Sequence, residues 1–157
     1  YQAALIMALA MSASAIHAQT TAEPGETLNA LLMSMRDELA TTEMFMSLFY
    51  GVVDRNAGRL RYANAGHPHA FVIPKSGKVE RLPALDPPLG MGATAPQGTS
   101  RPWTTGDMLL LFTDGVSDAR NRRGDRVCLV DRGRCFCRLR RRGCGHGQED
   151  CWNGEEM

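Results

Sequence analysis

The sequence predicts an α+β protein in which antiparallel sheet is covered by helices, and three observations carry that reading. Two helical patterns open the chain, hairpin-forming strand pairs follow them, and an apolar strand ending in Asp114-Gly115 leads towards a further helix. With 157 residues the chain has the size of one ordinary domain, large enough to bury a core. Hydrophobic residues make up 43% and charged residues 22%, a globular balance that excludes a disordered or fibrous chain. The formal net charge of +1 gives no overall case for nucleic acid or a membrane surface.

The first element leaves two readings open. Residues 3–15 are apolar, and Ala-Ile-His-Ala ends in an A-x-A-like site before Gln19, as in a secretory signal peptide. No lysine or arginine precedes that run, the first being Arg36. Residues 3–17 also fit an alanine-rich helix, apolar all round and covered by a sheet. Pro24 and Gly25 mark a loop over 20–25. Leu28, Leu31, Leu32, Met35 and Leu39 then recur at helical spacing and predict an amphipathic helix over 26–39.

Aromatic and β-branched residues predict a strand over 45–53, a turn over 54–58 and a returning strand over 59–65. A second hairpin is expected from strands 70–73 and 78–82 around Pro74-Lys75-Ser76-Gly77. Residues 83–92 read as a loop rich in proline and glycine. A Thr-Thr-Gly-Asp turn after Trp103 opens a strand over 108–113, apolar enough to be central and covered on both faces. A helix is expected over 116–121.

Composition changes near Arg126. Of the 18 basic residues, 10 are arginines from Arg120 to Arg142, opposed only by Asp125 and Asp131. All 5 cysteines (Cys128, Cys135, Cys137, Cys144 and Cys151) also fall after position 127. Their spacings do not match the paired C-x2-C knuckles of zinc sites, even with His146 beside Cys144. An odd count also argues against a disulfide scaffold. An arginine-rich arm for nucleic acid is the functional reading. The plainer one is a disordered or out-of-frame tail over 127–157, which leaves 1–126 as the domain.

Asp114 is the best single candidate for chemistry. A carboxylate at the end of a rigid strand suits a hard divalent ion such as magnesium or manganese, and Gly115 leaves room for the backbone to turn beside it. From spacing alone the commoner explanation of Asp-Gly is a plain strand-end turn. His67, in Asn64-Ala65-Gly66-His67-Pro68, is suited to act as ligand, base or orienting group, although a histidine before proline is more often a turn residue. Asp118 lies one helical turn beyond Asp114 and suits a supporting position, or simply a helix N-terminus.

Five blocks together resemble the SpoIIE-like branch of the PPM-type metal-dependent protein phosphatases. They are Ala3-Ala4-Leu5-Ile6-Met7, Met44-Phe45-Met46-Ser47-Leu48-Phe49-Tyr50-Gly51-Val52, Leu60-Arg61-Tyr62-Ala63-Asn64-Ala65-Gly66-His67-Pro68, Pro87-Pro88-Leu89-Gly90, and the run from Gly106 through Asp114-Gly115 to Val116. They stand in the family's order and spacing and cover residues 1–126. The resemblance implies a two-sheet antiparallel β-sandwich flanked by helices, incomplete here. It also implies a phosphoserine/phosphothreonine protein phosphatase, a hydrolase in which two Mn2+ or Mg2+ ions activate an attacking water.

By the same resemblance Asp114 is a metal ligand, while Gly115, Asn64, Gly66, His67 and Asp118 lie near the active site. No side chain is assigned as catalytic. The implied partner is a phosphorylated STAS-type, anti-anti-sigma-like regulator of bacterial partner-switching signalling, in the cytoplasm, with sensor or membrane domains possible in a longer protein. No nucleic-acid partner is expected. Two family features are absent from the sequence: an Asp-x-Ser-Gly-like block before the helix at Ala3, and an acidic pair in the final strands. One aspartate cannot hold two ions, so the expectation is that this chain does not hydrolyse phosphoesters by itself. A catalytically dead regulator-binding module and a small exported protein are the alternatives.

Overall fold

The computed structural model describes residues 1–75, 77–92, 95–120, 130–131 and 134–135. It divides into two units, Tyr1–Leu111 and Phe112–Met157, each taken by itself below.

In the first unit, the alanine-rich start forms a helix, α1 (Gln2–His17), which buries Ile6 and Ala10, four residues apart on one face. That face packs on the second helix, α2 (Pro24–Thr41). The sheet expected to cover α1 is therefore replaced by a helix as its main neighbour. Proline starts α2 at a position where its missing N–H costs nothing, and Glu26 lies in the first turn. Leu28, Leu31, Met35 and Leu39 form its buried stripe, as their spacing predicts. Each such side chain contributes about 1.5–3 kcal/mol through burial. Among the described residues no helix is long and apolar enough to cross a membrane.

Strands β1 (Leu48–Asp54) and β2 (Arg59–Ala65) form the first hairpin, in register from Leu48↔Ala65 to Asp54↔Arg59. Asp54 Oδ1 fixes the turn by accepting from the N–H groups of Asn56 (3.0 Å) and Ala57 (2.8 Å). The start of β1 lies later than 45, because Met46 pairs with Leu89 instead of joining the ladder. The next two strands are β3 (Ala70–Ile73) and β4 (Glu80–Arg81), the latter shorter than the expected 78–82.

The fifth strand, β5 (Gly98–Pro102), has no counterpart in the sequence reading. Gly-Thr-Ser-Arg-Pro has the composition of a loop. It is tolerated as a strand because it lies at a sheet edge, with Pro102 at its end. Strand β6 (Met108–Leu111) follows. The sheet orders are β1-β2-β5 and β4-β3-β6, with every pairing antiparallel.

Period-two alternation on β2 explains the layering. Ala63 and Ala65 point into a core shared with α1 and α2, which also takes in Leu28, Leu31, Met35, Met46 and Leu89. Leu60 and Tyr62 point the other way, into a core with Ala70, Val72 and Leu82, against which Phe49, Trp103 and Leu109 pack. The unit is therefore helices on one sheet and that sheet on a second, the α+β sandwich the sequence predicts. Gly25 brings α2 onto β5 at backbone contact. A Cβ there would lie 2.7 Å from the Gly98 nitrogen and 2.9 Å from the Pro96 oxygen.

One expectation is corrected here. Strand β6 is not covered on both faces: Met108 is 57% and Leu111 42% exposed. Among the described residues β6 pairs with β3 alone. The exposed residues are the two ends of the strand, on opposite faces, and Leu109 and Leu110 between them are half-buried, so uniform apolarity did not report how far the strand is covered.

In the second unit a one-turn helix, α3 (Asp114–Ser117), replaces the helix expected over 116–121. Two short antiparallel strands, β7 (Val130–Asp131) and β8 (Arg134–Cys135), pair with each other. They fall within the expected tail over 127–157, the rest of which lies outside the described residues.

Candidate functional site

The expected site residues fall into two groups. Asn64, Gly66 and His67 belong to the first unit, and Asp114, Gly115 and Asp118 to the second.

Asn64 is the penultimate residue of β2, with its side chain wholly buried. A primary amide in such a place is costly unless its polar atoms find partners. Its Nδ2 donates to the carbonyls of His67 (3.0 Å) and Leu82 (3.1 Å), while its Oδ1 accepts from the His67 N–H at 2.8 Å. Its own carbonyl accepts from the N–H groups of Leu85 (3.1 Å) and Asp86 (3.4 Å). One residue thus closes the turn over 64–67 and ties it to the segment after β4.

Gly66 holds the turn from the other side. Its φ is +73°, and a Cβ would lie 2.5 Å from Pro88 Cγ, so no other residue fits without displacing the proline. Just beyond Pro88, Leu89 and Met46 exchange backbone bonds of 2.8 and 2.9 Å. Three of the five sequence blocks are therefore joined at one place by packing and hydrogen bonding. His67 is half-buried there, its backbone held at both ends by Asn64.

Two polar features elsewhere in this unit were missed from sequence. Arg101 on β5 meets Glu80 on β4 at 3.2 Å. Burial first, and then the Glu80 charge, raises the Tyr62 phenol above its ordinary pKa, while Arg101 opposes the shift. Asp107 accepts from the Thr104 N–H (3.0 Å), the Thr104 hydroxyl (2.9 Å) and the Lys75 N–H (3.1 Å). The amide bonds from Thr104 and Lys75 hold its carboxyl below the usual value of 3.8. The Thr-Thr-Gly-Asp spacing was the available signal, since a threonine three residues before an aspartate suits such a cap.

In the second unit, Thr113 is extended (φ −101°, ψ 171°) and precedes Asp114, the first residue of α3. The Asp114 carbonyl accepts from the Asp118 N–H at 2.7 Å, so the two aspartates stand one turn apart, both exposed. Gly115 does not have a left-handed backbone. A Cβ there would meet only Thr113 Oγ1, at an ordinary 3.6 Å. The turn therefore does not require glycine, which corrects the conformational reason given for it.

A pair of divalent ions needs several oxygen ligands converging on one place. Among the described residues no group of three or more histidine, cysteine, aspartate or glutamate side chains could hold a metal ion. The described donors therefore do not fit a two-ion centre.

The comparisons with known proteins agree with the fold. The chain matches the family described as Stage II sporulation protein E (SpoIIE) over residues 1–146, a range that takes in all of α1 and runs past Arg126. This chain belongs to the SpoIIE family. It is 39% identical over 102 residues to Protein IcfG of Synechocystis sp., covering 60% of this chain and 16% of that protein. It is also 39% identical over 75 residues to Phosphoserine phosphatase RsbP of Bacillus subtilis, covering 47% of this chain and 19% of that one. The chain thus spans less than a fifth of either relative.

Two solved structures share the fold over 77% of this chain. They are the RsbU and RsbW domains of a Mycobacterium tuberculosis protein (TM-score 0.65, 21% identity, 34% of that chain) and the SiaA-PP2C domain of Pseudomonas aeruginosa (TM-score 0.64, 23% identity, 49% of that chain). The architecture is therefore that of PP2C-like phosphatase domains, present in part.

Proposed function

We propose that this chain is part of a metal-dependent phosphoserine/phosphothreonine protein phosphatase domain. The single observation that carries the reading is the family match over residues 1–146, supported by the likeness to a relative named as a phosphoserine phosphatase. In this reading Asp114 supplies one carboxylate to a Mn2+ or Mg2+ centre whose other ligands lie outside the described residues. Bound ions would acidify the attacking water and offset charge on the phosphoryl oxygens. The clasp formed by Asn64, Gly66 and Pro88 sets the backbone of the His67 turn without itself performing chemistry.

The substrate class we propose is a small phosphorylated STAS-type regulator acting in partner switching in the cytoplasm. The names RsbP and RsbU–RsbW among the likenesses support it. A second reading is a regulator-binding module without turnover. Calorimetric titration of the purified chain with Mn2+, beside a pull-down with a phosphorylated STAS protein, separates the two. Mn2+ binding that disappears in Asp114→Asn supports the phosphatase reading. STAS binding in metal chelator, unaffected by Asp114→Asn, supports the module.

A further inference from the structure

We draw no further inference here: the strongest candidate, the exposed apolar face of α1 formed by Leu5, Leu9 and Ile16, carries nothing because nothing in the structure shows what covers it.

Discussion

The turn that closes β2 and the turn that opens α3 were both singled out by sequence as places for chemistry, yet they are built on opposite principles. Around Asn64 every polar atom of a buried amide is used, and a left-handed glycine is pressed against a proline. Around Asp114 the backbone is ordinary, the carboxylate is exposed, and the neighbouring glycine has room for a larger residue. The first arrangement shows what a motif looks like when the fold depends on it. The second shows a candidate picked out by its chemistry at an exposed position, where neither a left-handed backbone nor a close contact at the neighbouring glycine explains the motif.

The comparison can be broken by substitution, and the largest effect should come from Asn64→Ala. That change strands the His67 N–H and two carbonyls away from water, so a loss of roughly 3 kcal/mol in unfolding free energy is expected in a urea titration. A loss below about 1 kcal/mol would show that the amide is not the clasp. Gly66→Ala comes next, with an expected loss of about 1–3 kcal/mol from the unfavourable φ and the contact with Pro88. Gly25→Ala should fall in the same range, because the obstacle there is backbone that cannot swing aside.

Asp107 gives a smaller, pH-dependent effect. Its carboxyl is held below the ordinary value in the folded chain, so its contribution is present above the unfolded pKa and lost as pH falls through the folded one. Asp107→Asn should therefore lower the urea midpoint at neutral pH. The gap from the parent should close below about pH 4. A gap of equal size at both ends of the pH range would remove the charge from the explanation.

The smallest stability effects are expected at α3. Gly115→Ala and Asp114→Asn should each change the unfolding free energy by no more than about 0.5 kcal/mol. If either unfolds the chain, the contrast between the two turns is lost. If both are silent in stability while Asp114→Asn alone abolishes Mn2+ binding, the contrast becomes one between architecture and chemistry.

Much of the fold was legible because its signals were periodic. The alternation in Arg59–Ala65 located β2, and the stripe from Leu28 to Leu39 located α2. What was hidden depended on partners distant in sequence. Gly98–Pro102 becomes a strand only because β2 offers it an edge, and Met46 leaves its strand because Leu89 claims its hydrogen bonds. The role of Asn64 was hidden for the same reason, since Leu82 lies 18 residues away. At Asp114 the sequence identified a candidate by its chemistry, but the ligands that would complete a metal site are not among the described residues.

The central proposal is that this chain has the family's fold while its described residues do not by themselves complete an ion-binding set. The most direct measurement is phosphate release from a phosphoserine peptide by the purified, cooperatively folded 157-residue chain in the presence of Mn2+. The account predicts release no faster than in buffer. Sustained Mn2+-dependent turnover that vanishes in Asp114→Asn would contradict it.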